Sequence, residues 1–285
     1  MPSSTFHLRS GRRCARVRID RTGGQLDHYY HFIMDFAWPM HHWSVSRGVA
    51  LPGRIGCEDA KALFFAHHAQ ALLGPTLDGV TRMDRWLERV LPLEHVTLRG
   101  FNSRVRDHER TFSTLEELRR SHRAFVHHVA ARIANPATAV TPQVILIDRG
   151  EAEGDRGASR RRMEGTASLA AAIERHCRDR SVAFRSVRME ELGPLEQVAL
   201  VRGAPTILIG QHGAGLLNGS WMEQPGSGVV ELAAEDNPAH FGNLFTDLGM
   251  PYHRLHFPAR GAYGAQQVLV PRADPVLERV DALLG

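Results

Sequence analysis

The stretch Thr206-Ile207-Leu208-Ile209-Gly210-Gln211-His212-Gly213-Ala214-Gly215-Leu216-Leu217-Asn218 decides the fold. An apolar run of strand length, Thr206 to Ile209, enters a glycine-rich turn over Gly210 to Gly215. The pattern then predicts a helix over Leu216 to Met222. Working outward, the downstream side predicts a strand over Val229 to Leu232, a helix over His240 to Leu248 and a strand over Tyr252 to Phe257. The upstream side predicts a helix over Leu195 to Arg202, a strand over Val182 to Val187, a helix over Thr166 to Arg178 and a strand over Val144 to Ile147. Strands alternating with helices at this spacing imply an α/β domain with a mostly parallel sheet.

The first half alternates less cleanly. It predicts a long apolar helix from Asp27 to about Ser46, a short strand over Arg54 to Cys57 and a helix over Ala60 to Leu73. Trp86 to Val90 reads as helical and Val96 to Leu98 as a strand. Leu115 to Ala134 reads as a helix opened by Ser113 or Thr114, with Glu116 and Glu117 in its first turn. The break from Asn135-Pro136 to Pro142 marks a boundary, giving α/β lobes over 1–140 and 141–285. A last helix, Pro275 to Leu284, is expected to pack back onto the first lobe. Two such lobes facing each other place a ligand in the cleft outside the carboxyl ends of the strands.

Composition narrows the function classes. Of the 285 residues, 43% are hydrophobic and 23% charged, an ordinary globular balance that excludes a mainly disordered chain or a disulfide scaffold. The three cysteines, Cys14, Cys57 and Cys177, are widely spaced, with no C-x-x-C, so a structural zinc site is not expected. The net charge is +4 and the pI about 9.3, with Lys61 the single lysine beside 34 arginines. This dispersed charge accompanies no nucleic-acid-binding motif, so no nucleic-acid partner is expected. No apolar run reaches the length of a membrane span and the N-terminus has no signal-like core, so a cytoplasmic protein is expected. Arg9, Arg12, Arg13, Arg16 and Arg18 are compatible with a weak peripheral contact with anionic lipid.

Three stretches can carry chemistry. In the turn after Ile209, glycines let the backbone approach a ligand, and free N–H groups at the following helix start favour an anion. His212 adds a donor there; the bland alternative is a tight β-to-α turn that binds nothing. The stretch His28-Tyr29-Tyr30-His31-Phe32-Ile33-Met34-Asp35 places His28, His31 and Asp35 on one helical face amid apolar neighbours. Pro39 cannot donate to the Asp35 carbonyl, so a kink freeing that oxygen is expected. A structural His–Asp pair and a two-histidine, one-carboxylate metal site are the rival readings. The third stretch, Arg149 to Arg162, is long, polar and arginine-rich, and Arg149 stands at the carboxyl end of a predicted strand.

Gly210 to Asn218, followed by Trp221-Met222, Pro225-Gly226 and Val229-Val230-Glu231-Leu232, resembles the nucleotide-sugar lobe of glycosyltransferase family 61. Glu196-Gln197 resembles the family's Glu-Gln helix, Arg149 and Arg161 its two arginines, and His28 to Asp35 its first-lobe helix. An asparagine expected near Gly165 is absent. The resemblance implies two Rossmann-like lobes in a GT-B-like arrangement. It implies an inverting transfer of a sugar from a nucleotide diphosphate, UDP by default, to a hydroxyl of a glycan, glycolipid or small molecule. Arg149, Arg161, His212, Gly213, Ala214, Gly215, Asn218 and Glu231 are then the donor side, with Glu231 accepting from ribose hydroxyls. Asp35 is the expected base with His31 orienting it, or the converse, and His28 lies on the acceptor side. No Asp-x-Asp motif occurs, so a metal-free site without any cofactor beyond the nucleotide-sugar co-substrate is expected. A nucleotide-sugar-binding protein without catalysis and a metal-dependent enzyme at His28, His31 and Asp35 are the alternatives.

Overall fold

The computed structural model describes residues 3–10, 12–21, 25–101, 107–134, 141–149, 161–261 and 267–285. The chain divides into two compact units, Met1–Ala134 and Asn135–Gly285. Both are mixed α/β.

In the first unit, β1 (Ser3–Ser10) and β2 (Arg13–Asp20) form an antiparallel hairpin paired from Ser3–Asp20 to Ser10–Arg13. Sequence reading missed both strands. In β1 the buried Phe6 and Leu8 flank a buried His7, and in β2 the buried Cys14 and Val17 stand three apart with Arg16 between them, which hides the two-residue period. A helical run follows: α1 (Tyr29–Phe32), a π-helical turn (Ile33–Ala37) and α2 (Trp38–Arg47). Then come β3 (Arg54–Cys57), α3 (Ala66–Leu73), β4 (Thr76–Gly79), α4 (Arg82–Val90), β5 (Leu93–Arg99) and α5 (Leu115–Ala130). The sheet order is β4-β3-β1-β2-β5, with β3/β4 and β2/β5 parallel and the central pairs antiparallel. Thr114 opens α5 by accepting the Glu117 N–H at 3.2 Å.

The second unit is the α/β layer structure that its sequence predicts. It runs β6 (Gln143–Ile147), β7 (Arg161–Met163), α6 (Thr166–Arg178), β8 (Ala183–Val187), α7 (Pro194–Arg202) and β9 (Thr206–Gln211). A 3-10 helix over Ala214–Trp221 leads to β10 (Gly228–Ala233), α8 (His240–Leu248), β11 (Tyr252–His256), β12 (Ala259–Arg260), β13 (Gln267–Leu269) and α9 (Ala273–Leu284). The five main strands lie in the order β11-β10-β9-β6-β8, every pairing parallel. Chain order reverses between β6 and β9, the topological switch point at which doubly wound sheets open a crevice beyond their strand ends.

Alternate residues of each strand face opposite layers. Val144, Leu146, Ile207, Ile209, Val230 and Leu232 pack with α6 and α9 through Leu169, Ile173, Val276 and Val280. On the other face the 3-10 helix lies so close that a side chain at Gly219 would overlap Val229 and Phe245. The expectation for the last helix is corrected here: the buried face of α9, Val276 and Val280, belongs to the core of the second unit. Its apolar i, i+4 pair completes the layer that α6 alone leaves open. No helix among the described residues is long and apolar enough to cross a membrane.

Candidate functional site

Of the residues expected on the donor side, Arg149 and Gly213 meet at the switch point. Leu146 pairs with Ile209, so the residues leaving β6 and β9 rise side by side. Arg149 leaves β6 and lies against Gly213, where an added Cβ would come within 2.7 Å of the guanidinium carbon. Only a residue without a side chain leaves room for that guanidinium. Beside it opens a cavity of about 390 Å³ lined by Arg149, Arg162, Arg188, Gly165, Thr166 and Ser186. One carboxylate, Asp148, also lines it, 4.0 Å from the Arg188 Nε. α6 begins at this cavity: Gly165 precedes it at φ +71° and supplies no side-chain cap. The dipole of a 13-residue helix therefore adds partial positive charge to three guanidinium groups. Arg188 and the open start of α6 were not singled out in the sequence. The signal was there in Arg188, which follows a predicted strand as Arg149 does.

His212 and Glu231 sit behind this edge, both fully buried. His212 Nδ1 hydrogen-bonds one Glu231 oxygen, and the Tyr252 hydroxyl donates to the other. Arg254 Nε approaches the same carboxylate at 3.8 Å. The sequence expectation of Glu231 at a strand end, open to a ribose, is corrected. It is the fourth of six residues of β10, its side chain faces the protein, and both oxygens are engaged within the fold. Tyr252 is pushed above its ordinary pKa by burial and by that carboxylate, so it stays a donor. Asn218 is buried likewise: its amide donates to the Gln197 side chain and the Gly215 carbonyl, both at 3.1 Å. Gln197 in turn donates to the Met189 carbonyl at 2.8 Å. This network ties α7 to the turn that carries Gly213, Ala214 and Gly215. The Arg161 backbone pairs with Gln267, while its side chain lies outside the described residues, as do residues 150–160.

In the first unit, His31 and Asp35 meet as predicted. His31 Nδ1 lies 2.7 Å from Asp35 Oδ2 across one helical turn. Asp35 is fully buried and its Oδ1 has no hydrogen-bond partner among the described residues, whereas the His31 side chain keeps 19% of its surface exposed. Burial raises the Asp35 pKa, opposed by the His31 hydrogen bond and by the charges of His31 and Arg21. Gly100 presses on this carboxylate: a Cβ there would come within 2.9 Å of the Asp35 carbon. Sequence reading gave Gly100 no role, because its partner lies 65 positions away on another element.

The expected kink at Pro39 takes a different form. The helix widens into a π turn in which the Trp38 N–H reaches back five residues to the Ile33 carbonyl. The carbonyl that bonds outside the helix is that of Met34, which accepts the Phe101 N–H at 2.7 Å. The widened turn shifts the register by one, so the missing proline N–H is felt at Met34 and not at Asp35. His28 caps the run, its ring 5.6 Å from that of His31. Among the described residues no cluster of three or more His, Cys, Asp or Glu is placed to hold a metal ion, His28, His31 and Asp35 included.

No curated protein matches the chain in sequence. Among solved structures, rubredoxin oxygen:oxidoreductase from the anaerobe Desulfovibrio gigas is similar at 9% identity and a TM-score of 0.32, over 94% of this chain. The chain spans 57% of that protein's length. The family model for glycosyltransferase 61 matches residues 29–230, which contain His31, Asp35, Arg149, His212 and Asn218. The chain belongs to the glycosyltransferase 61 family.

Proposed function

We propose that this chain is an inverting, metal-independent glycosyltransferase that moves a sugar from a nucleotide diphosphate, UDP by default, to a hydroxyl of a glycan, glycolipid or small molecule. The observation that carries this reading is the Arg149 guanidinium lying over Gly213 at the switch point, beside a cavity with two further arginines. A diphosphate leaving group gains negative charge as its bond to the sugar breaks. Fixed positive charge at that position stabilises the transition state more than the ground state. Arg149, Arg162, Arg188 and the start of α6 supply it without a metal, in keeping with the missing Asp-x-Asp motif. His212, Glu231 and Asn218 act one layer back, holding the turn of Gly213 to Gly215 against the donor.

The units work as the two lobes of a GT-B-like enzyme, the first carrying acceptor and base. Burial divides the roles within the His31–Asp35 pair. Asp35 has no exposed surface, so it orients His31 through Nδ1. His31 is then the base: Nε2 takes the acceptor hydroxyl proton while that oxygen bonds the anomeric carbon from the face opposite the diphosphate. The diphosphate departs with the electron pair of the broken bond. The parallel is a triad in which a buried aspartate fixes the tautomer of the working histidine.

Calorimetric titration of the metal-chelated protein with a panel of nucleoside diphosphates tests the donor half. One diphosphate is expected to bind, with binding lost in Arg149→Ala. Equal binding by that variant, or no binding to any diphosphate, overturns the reading.

A further inference from the structure

We propose that the outer face of α4, with the adjoining end of the β1–β2 hairpin, is a docking surface for an anionic lipid bilayer. The proposal is independent of the donor site and involves none of its residues.

α4 is held to its sheet by one side only. Leu87 is buried beneath it, Glu88 pairs with His7 and Arg16, and Asp84 with Arg54 at 2.9 Å. Both carboxylates of the helix are thus turned toward the sheet and neutralised there. The outward side holds two rows. Met83, Trp86 and Val90, at i, i+3 and i+7, are 59%, 54% and 54% exposed. Arg82, Arg85 and Arg89, at the same spacing, form an exposed row alongside them. None of these arginines forms an ion pair among the described residues.

The hairpin adds charge at the far end of the helix. The Cys14 N–H donates to the Pro92 carbonyl at 2.9 Å, and Cys14 pairs with Leu93, so Arg13 stands beside the chain leaving α4. Arg9, Arg12 and Arg13 are exposed there. Arg16 and Arg18, which the sequence grouped with them, are committed to Glu88 and Asp20.

An exposed tryptophan between apolar neighbours, with a parallel arginine row, fits the interface of a bilayer. The ring and its neighbours enter the headgroup–acyl boundary while the guanidinium groups meet lipid phosphates. A second copy of this chain is the poorer occupant, because symmetric pairing through α4 would oppose two uncompensated arginine rows.

Trp86 reports on its own surroundings, since Trp38, Trp43 and Trp221 are 1%, 6% and 0% exposed. The full chain is mixed with phosphatidylcholine vesicles, with and without phosphatidylglycerol, at low and high salt. The expected result is sedimentation with the anionic vesicles alone, weakened by salt. It is accompanied by a blue shift of Trp86 emission and by quenching from brominated lipid, both absent in W86F. R82Q/R85Q/R89Q, with circular dichroism unchanged, is expected to partition about 100-fold more weakly. Several results overturn the proposal: equal binding to both vesicle types, no binding at low salt, or sedimentation without a Trp86 response. A lipid-free shift that grows with protein concentration also overturns it and names a second copy as the occupant.

Discussion

The two units solve the same architectural problem with different sheets, and their chemistry differs accordingly. The main sheet of the second unit is parallel, and its central strands β6, β9 and β10 are buried throughout, so they carry apolar runs such as Val144-Ile145-Leu146-Ile147. Its reactive side chains are pushed to the strand ends, where guanidinium groups face a cavity. The first unit is a mixed sheet with a hairpin at its centre, and it stocks its interior with histidine. Twelve of the 17 histidines lie before residue 135, and His7, His41, His68 and His108 are buried. On the proposed function, the second unit holds the anion and the first handles the proton.

The largest effect should come from separating those two tasks. His31→Ala is expected to lower transfer at least 1,000-fold while leaving diphosphate affinity unchanged, and Asp35→Asn to follow it closely by presenting the wrong tautomer. Arg149→Ala should do the reverse, losing affinity with the first unit intact. Calorimetry and turnover on the three variants decide this. Normal turnover by Asp35→Asn would remove the carboxylate from the mechanism.

Acid should separate the units next. Burial, with His128 and His42 adding to it, lowers the His41 pKa from 6.5 to about 4; burial, with His67 adding to it, does the same for His68. Both stay neutral in the fold while the unfolded chain takes up protons from about pH 6.5 downward. Each therefore withdraws stability as pH falls from 6.5 toward 4, by roughly 3 kcal/mol at most, and nothing further below that. Hydrogen exchange across this range should show α2 and α3 losing protection before β6 and β9. Simultaneous loss in both units would remove the contrast.

These two effects also show what was legible in the sequence. Parallel strands buried on both faces announce themselves, and the predicted bounds of α6 and α8 coincide with the observed helices. The hairpin did not, because Arg16 stands between the buried Cys14 and Val17 and breaks the apolar alternation of β2, and it pairs with Glu88, 72 positions away. The His31–Asp35 pair was readable because it is local to one helix turn. Whether a group faces solvent or protein was not readable. Glu231, Tyr252 and His212 converge from three strands or strand ends, and only the folded sheet shows that they satisfy one another.

Each unit also has a glycine whose missing side chain makes room for a working group, Gly100 under Asp35 and Gly213 under Arg149. Alanine at the two positions should behave differently. Asp35 is fixed in a buried helix and cannot move aside, so Gly100→Ala is expected to cost about 3 kcal/mol of stability in chemical denaturation. Arg149 meets Gly213 with the far end of a flexible chain. Gly213→Ala should leave the fold near its normal stability and weaken diphosphate binding about tenfold, the order of one displaced charge-assisted hydrogen bond. Equal stability losses would mean that Arg149 is as constrained as Asp35.

The smallest contrast lies in how helices begin. In the first unit α4 closes its own start: Thr81 accepts the Asp84 N–H at 3.2 Å and Asp84 accepts the Thr81 N–H at 2.7 Å. In the second unit α6 starts after Gly165, which supplies no side-chain cap. Thr81→Ala should therefore cost about 1 kcal/mol, the usual worth of such a cap. Part of the cap should survive, because Asp84 would still receive the Thr81-position N–H and the Arg54 guanidinium. At Gly165 the effect of a cap should appear in binding. Gly165→Asn tolerates the left-handed backbone better than other side chains and has open space around its Cβ. Its carbonyl would compete with an incoming anion for the N–H groups of α6. A severalfold loss of diphosphate affinity without a loss of stability would show that the open helix start is used. Unchanged affinity would assign the anion to the arginines alone.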